Sequence, residues 1–408
     1  MLSAVPSETI FLLDLGVLTA AALALSLVFA KLRLPVVSGQ ILAGMIVGPY
    51  VLGWVVDTEI ISLISSIGIV LLLFIIGLEL DPLELQKAAK QIVFLTLVET
   101  AIAFGFGVLA SYVLGFSLLP SLVFAMTATI SSTAIVGKII LERRMFQAGE
   151  SKTLVGLMIT EDIIAVGFLI LLSTLVPQVG TSTSSQAERF IVTGLGGISL
   201  VVVGYIVARF LAPYAIDYLS TYEVESEEIP FLFALAVGLL FGVLAASLGY
   251  SPGIGSFIIG LAIRGKQSRF LFEKVTPLKD LFLVLFFVSM GSLINPYPAL
   301  GLGVLAVAAI VLLVLGKFLG GFVAANLVRR GKGAFSASPS SVGAWLIPRG
   351  EFSLVIGQYA LAVGLVDLSV FSLIGLSVLV TAILGPTLQR LTGPRLAGVE
   401  HAADSRTE

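Results

Sequence analysis

Two carboxylates, Glu161 and Asp162, lie side by side in the otherwise apolar stretch LMITEDIIAVGFLI. They fall about ten residues into an apolar run, which places them roughly 14 Å along a helix. That distance is near the middle of a ~30 Å hydrocarbon layer, too deep for a short acid to reach water. Two like charges this close titrate as a coupled pair, which could take up either a proton or a hard cation.

A buried base, Lys317, lies in the run VLLVLGKFLGGFVA and requires an acid partner. We predict that this partner is Glu161, so that Asp162 remains as the exchanging carboxylate. At an effective dielectric near 20 the contact would be worth about 4 kcal/mol before desolvation. The sequence leaves open whether Lys317 is a purely structural counter-ion or takes part directly in proton coupling.

A string of hydroxyl residues, TATISSTAIVG, runs through another apolar stretch and contains Ser131, Ser132 and Thr133. If the helix unwinds here, its carbonyl and hydroxyl groups become free to bind a cation. Small polar residues also serve helix packing, and the sequence does not separate the two roles. We therefore treat these three residues as candidate ligands.

A matching break is predicted in LIPRGEFSLVIG, residues 346–357, where Pro348 cannot continue a helical ladder. Arg349 and Glu351 bring opposite charges to this break, and a structural role at the ends of half-helices is favoured for both. Glu99, in TLVETAIAFGFG, is one more acid within an apolar run. It is expected to partner a base such as Arg349.

The composition indicates that membrane-spanning helices must position these charged and hydroxyl groups. Of the 408 residues 58% are hydrophobic and 12% are charged, about half the charge of a soluble domain, so the chain is predicted to be an all-α polytopic membrane protein. There is no Cys, and the single His401 lies in a polar tail, which excludes thiolate metal sites and His-based catalysis. No ATP-binding, hydrolase or zinc-protease motif is present, so neither an enzyme nor a cofactor is expected.

Apolar runs predict thirteen membrane-spanning helices, near 9–30, 34–53, 60–78, 91–114, 119–138, 153–176, 190–214, 230–248, 251–264, 277–294, 299–327, 340–365 and 369–389. Nineteen Lys and Arg residues fall in one set of alternate loops and one in the other, which predicts the N-terminus outside and the C-terminus inside. Basic residues spread over loops do not form a nucleic-acid surface. The N-terminal stretch has no basic region or cleavage site, so the first span is expected to remain in the membrane.

Two pieces of the chain repeat at long range. SGQILAGMIVGP resembles GIGSFIIGLAIRG, with Gly39 and Gly44 matching Gly255 and Gly260. LLLFIIGLELDP resembles VLFFVSMGSLINP at nearly the same offset. The offset corresponds to seven spans, an odd number, so spans 2–6 and 9–13 are predicted to form an inverted repeat with two crossing broken helices.

These motifs, together with LPVVSGQILAGMIVGP, SSTAIVGKIILERR and PLKDLFLVLFFVSMGSLIN, resemble the Kef-type and NapA-type monovalent cation:proton antiporters of the second cation:proton antiporter branch. The resemblance implies interleaved core and dimerisation helices within residues 1–395, a homodimer, and elevator-like movement of the core. It assigns ion and proton binding to Asp162, with Glu161 at a position that is commonly Asp, Asn or Gln. It also matches Lys317 to the basic residue that partners this pair.

The expected function is exchange of Na+ or K+ for H+ across a prokaryotic plasma membrane. Residues 396–408 are expected to form a short cytoplasmic tail, and regulation is expected from a separate cytosolic subunit, if at all. A cation channel of Kef-like type gated by such a subunit is the alternative. An intramembrane aspartyl protease is disfavoured, because the two acids are adjacent and no GxGD motif is present.

Overall fold

The structure is a computed structural model, and apart from a few isolated positions between 195 and 206 it describes residues 7–55, 58–79, 82–142, 149–175, 228–248, 252–263, 266–330 and 338–392. Helices joined by short turns make up almost all of these residues, and no strand occurs among them. The predicted all-α class is confirmed.

The helices of the described residues are numbered in chain order. They are α1 (Ser7–Lys31), α2 (Val36–Val47), α3 (Thr58–Glu79), α4 (Pro82–Val113), α5 (Leu118–Ala128), α6 (Thr133–Glu142), α7 (Gly149–Leu175), α8 (Glu228–Ser247), α9 (Pro252–Ala262), α10 (Lys266–Ser292), α11 (Tyr297–Leu300), α12 (Val304–Arg330), α13 (Pro339–Trp345), α14 (Glu351–Ala362) and α15 (Leu368–Thr392).

Five helical segments of the described chain are long and apolar enough to cross a membrane: Thr9–Lys31, Ala89–Val113, Leu118–Glu142, Val304–Arg329 and Leu368–Leu391. A bent pair within α10 would add a sixth. Three shorter apolar helices, Val36–Val47, Leu235–Ser247 and Pro252–Leu261, fall within other predicted spans. The predicted span at 190–214 lies almost wholly outside the described residues, and the count of thirteen stays a prediction.

Both predicted helix breaks are present, and they touch each other. Residues 129–132 separate α5 from α6, and residues 346–350 separate α13 from α14. The backbone N–H of Ser132 donates to the Pro348 carbonyl at 2.7 Å, so the two breaks share a hydrogen bond. A Cβ at Gly350 would lie 2.5 Å from Ser132 Oγ, which explains why glycine occupies this crossing.

Glycines from the two repeated motifs serve equivalent helix contacts. A Cβ at Gly44 on α2 would collide with a backbone carbonyl of α10, and one at Gly291 on α10 with a carbonyl of α2. Gly77 on α3 and Gly260 on α9 meet in the same reciprocal way. Residues that match in sequence therefore allow matching helix pairs to pack backbone to backbone.

The apolar core is divided between two main clusters of buried side chains. One is built by α3, α8, α9 and α10 and includes Phe74 and Phe241. The other is larger, runs through α4 to α7 and α12 to α15, and also reaches α2, α3 and α10. The two helix breaks and the paired acids lie in this larger cluster.

Candidate functional site

The paired acids lie on α7, beside the break between α5 and α6. Glu161 and Asp162 are each 1% exposed. Because neighbouring positions on a helix point in different directions, the two carboxylates have different partners. Those partners divide the site into two parts.

Glu161 has both carboxylate oxygens occupied. Its Oε1 lies 3.0 Å from Nζ of Lys317, and its Oε2 accepts a hydrogen bond from the backbone N–H of Ser131 at 2.6 Å. The Ser131 N–H is free to donate because the helix is interrupted at this residue. The structure thus brings together the pair of Lys317 and Glu161 that the sequence predicts.

Lys317 on α12 is fully buried and lies between two acids. Its Nζ is 2.5 Å from Oε1 of Glu99 on α4, as well as 3.0 Å from Glu161. It also donates to the Thr129 carbonyl at 2.6 Å, at the end of α5. One ammonium group therefore contacts two carboxylates and satisfies a carbonyl left free by the break.

Glu99 pairs with a base, as predicted, but that base is Lys317 and not the example we named, Arg349. The reason is the close approach of α4 and α12: a Cβ at Gly320 would lie 2.8 Å from the Glu99 carbonyl oxygen. Gly320 is three residues after Lys317, so both share the face of α12 that meets Glu99. Glycines beside a buried Lys were the signal available in the sequence.

Asp162 is much less constrained than Glu161. The Thr133 hydroxyl lies 3.2 Å from its Oδ2 and 3.4 Å from its Oδ1, and it is the one hydrogen-bond donor to Asp162 among the described residues. No Lys or Arg of the described chain lies within ion-pair distance of this carboxylate. Asp162 therefore retains lone pairs that a cation or a proton could occupy.

The other two hydroxyls of the first break have backbone partners. Ser131 Oγ donates to the Leu346 carbonyl at 3.0 Å, and Ser132 Oγ accepts from the Ile135 N–H at 3.2 Å. Ser131 thus ties the two breaks together, and Ser132 caps the start of α6. Of the three candidate ligands, Thr133 is the one whose hydroxyl contacts an acid.

Arg349 is fully buried and binds backbone carbonyls. Its guanidinium donates to Leu313 at 3.2 Å and, over 3.5 Å, to Thr127 in the last turn of α5. Its own backbone N–H donates to Thr381 Oγ1 at 3.2 Å. A cation at a helix C-terminus is favoured by the helix dipole, so this placement agrees with the structural role predicted for Arg349.

Glu351 is the first residue of α14, where a negative charge is favoured. Its Oε2 is buried and has no hydrogen-bond partner in the described part of the chain. The site is therefore an array of four acids and two bases, held where two broken helices cross.

Comparison with known proteins shows which family and which individual proteins the chain resembles. The family described as "Sodium/hydrogen exchanger, transmembrane" matches residues 17–391. The K(+)/H(+) antiporter subunit KhtU of Bacillus subtilis is 30% identical over 318 residues, which cover 77% of this chain and 75% of that protein. The high-affinity Na(+)/H(+) antiporter NhaS3 of Synechocystis is 25% identical over 320 residues, which cover 76% of this chain and 67% of that protein.

A solved structure shares the fold. The sodium proton antiporter MjNhaP1 of Methanocaldococcus jannaschii superimposes with a TM-score of 0.64, covering 94% of this chain and all of that one at 18% identity. The family match and the apolar helices of the present chain identify it as a multi-pass membrane protein. The chain belongs to the transmembrane sodium/hydrogen exchanger family of cation:proton antiporters.

Proposed function

We propose that this protein exchanges Na+ or K+ for H+, and that Asp162 is the carboxylate that binds the two in turn. The observation that carries the proposal is the unequal state of the paired acids. Glu161 is bound by Lys317 and Ser131, whereas Asp162 contacts only the Thr133 hydroxyl among the described donors. When a cation binds Asp162 the proton must leave, and this competition couples the two fluxes.

Glu161 assists Asp162 through Lys317. Lys317 holds Glu161 while the cation is absent and releases it when the cation arrives. Glu99 makes such a release feasible, because its carboxylate lies 2.5 Å from Lys317 and keeps the buried ammonium compensated. Removing all partners from a buried charge would cost about 3–5 kcal/mol. Exchange of one proton for one monovalent cation at Asp162 alone is electroneutral. Net charge movement in each cycle requires a second proton, which in this proposal Lys317 loses after it releases Glu161 and regains when the cation leaves.

Alternating access in this proposal follows from an inverted repeat. The reciprocal glycine contacts of α2 with α10 and of α3 with α9 support this symmetry, as does the contact between the two breaks. The core helices carry the site past the remaining helices in an elevator-like movement. The N-terminus lies outside and the C-terminus inside, in agreement with the distribution of Lys and Arg.

We also propose that the protein is a homodimer in a prokaryotic plasma membrane. Helix α1 carries exposed Leu12, Leu13, Leu23 and Leu27, and in this proposal a second copy of the chain covers part of that face. A separate cytosolic regulatory subunit is an additional expectation, and the similar protein of Bacillus subtilis is described as a subunit of an antiporter. The cation channel is disfavoured, because the family consists of exchangers.

Reconstitution into liposomes that contain a pH dye tests the proposal. Addition of Na+ or K+ outside is expected to move protons across the membrane, and Asp162→Asn is expected to abolish this movement. Proton movement that persists in Asp162→Asn would overturn the assignment of the carrier. Cation flux with no proton movement in the unmodified protein would favour the channel instead.

A further inference from the structure

Glu351 has a place in the structure that helix-end neutralisation does not fully explain. It is the first residue of α14, directly after the break. Its neighbour Gly350 lies against Ser132 in the first break. Thr133, which follows Ser132 and begins α6, donates a hydrogen bond to Asp162. Glu351 therefore starts its helix close to the carboxylate that is proposed to carry the ion.

The directions of the two acids on α7 point to the same pair. Glu161 turns toward Lys317, whereas Asp162 turns toward Thr133, the residue that follows Ser132. Asp162 on α7 and Glu351 on α14 are therefore the two acids next to the contact between the breaks.

Glu351 also has an unfilled ligand position. Its Oε2 is buried and accepts no hydrogen bond from any described residue. Buried polar atoms are nearly always satisfied, and each exception requires an explanation such as a bound ion. Asp162 has the same unfilled capacity, with one hydroxyl donor for its two oxygens.

The bases of the site are committed elsewhere. Lys317 lies between Glu99 and Glu161, and Arg349 donates to two backbone carbonyls. No described Lys or Arg is within ion-pair distance of Asp162 or Glu351. Two carboxylates without a protein base form a site for a hard cation, which prefers oxygen ligands.

We propose that Glu351 is a second carboxylate ligand of the transported monovalent cation, which it shares with Asp162 across the crossing of the two breaks. This proposal rests on the proposed exchange at Asp162. It gives each of the two broken elements a direct contact with the ion: Thr133 from the first break and Glu351 from the second. The cation would then hold together the helix ends that meet at Gly350.

The experiment measures cation binding separately from transport. The purified protein is titrated with NaCl or KCl, with choline chloride balancing the ionic strength, and the shift in unfolding temperature gives the half-saturating concentration. Glu351→Gln is expected to raise that concentration at least about tenfold, since it removes one of two charges that face the ion. Glu273→Gln is the matched control, because Glu273 is exposed on α10 and outside the site.

The variants separate a ligand from a helix-end charge. Glu351→Asp keeps the negative charge at the helix start but withdraws the oxygens, so it is expected to change the ratio of Na+ to K+ affinity. A structural role predicts a lower unfolding temperature with unchanged half-saturation in Glu351→Gln, and that result would overturn the proposal. If Glu351→Gln does not fold, an unchanged affinity ratio in Glu351→Asp overturns it equally.

Failure of this proposal is distinguishable from failure of the exchange at Asp162. If Asp162→Asn loses cation binding and Glu351→Gln does not, the exchange site stands and Glu351 is not a ligand. If Asp162→Asn binds and exchanges normally, both proposals are wrong.

Discussion

Glu161 and Asp162 are adjacent on one helix and equally buried, yet their surroundings differ sharply. Glu161 is bound by an ammonium group and a backbone N–H, and Asp162 by one hydroxyl among the described residues. Direction around the helix, rather than depth in the membrane, produces this difference. Glu161, whose two oxygens both have partners, forms the saturated half of the site and suits the role of a fixed charge. Asp162, which keeps open lone pairs, forms the unsaturated half and suits exchange.

Asp162→Asn tests this contrast with the largest expected effect. Exchange is expected to fall below detection, because an amide keeps the shape of the side chain but cannot release a proton or provide a negative charge. Glu161→Gln, one residue away, is expected to retain measurable exchange but to lose its dependence on membrane voltage. The measurement is dye quenching in liposomes at a set potential. Equal loss in both variants would contradict the division of roles.

Lys317→Ala tests the saturated half of the site. It leaves Glu99 and Glu161 buried without their shared base, so the free energy of unfolding is expected to fall by about 3–5 kcal/mol. Thermal unfolding in detergent measures the change, with Lys31→Ala as the control because Lys31 is exposed at the end of α1. Adding Glu99→Gln to Lys317→Ala is expected to recover part of the loss. Similar unfolding temperatures for Lys317→Ala and Lys31→Ala would show that the buried pair contributes little.

Glu99→Gln distinguishes the two acids that share Lys317. A hydrogen bond to a charged group contributes about 1.5–3 kcal/mol, so stability is expected to drop by that order. Voltage-dependent exchange is expected to persist, since Lys317 keeps its contact with Glu161. Electrical recording of exchange in reconstituted membranes measures the second effect. Loss of voltage dependence in Glu99→Gln would move the coupling role from Glu161 to Glu99.

Parts of this arrangement could be predicted from sequence and parts could not. The two breaks were predictable because Pro348, Gly350 and the Ser131 to Thr133 segment mark interrupted helices, and both breaks are present. The contact of Lys317 with Glu161 followed from charge pairing alone. The identity of the base that pairs with Glu99 could not be predicted in this way, because it depends on which faces of α4 and α12 meet. Sequence specifies depth along each helix but not the rotation of one helix against another.

The same limit applies to the three hydroxyl residues of the first break. Ser131, Ser132 and Thr133 are equivalent candidates in sequence, and the structure gives them three different partners. The direction of each side chain in an unwound segment depends on backbone angles that residue type does not specify. The first break meets the second at Gly350, so the partners of these three side chains depend on a tertiary contact that the sequence does not specify.

Thr133→Val has the smallest expected effect and defines the limit of the unsaturated half. The change removes the hydroxyl that contacts Asp162 but keeps a branched side chain of similar size. One hydrogen bond of about 1 kcal/mol corresponds to roughly a fivefold rise in the half-saturating Na+ or K+ concentration. Thr133→Ser keeps the hydroxyl and should stay within about twofold of the unmodified protein, because no hydrogen bond is lost. Exchange rates at graded cation concentrations measure both variants. If valine and serine behave alike, the hydroxyl does not help Asp162 to hold the ion, and the ligands must come from the helix backbone and from Glu351.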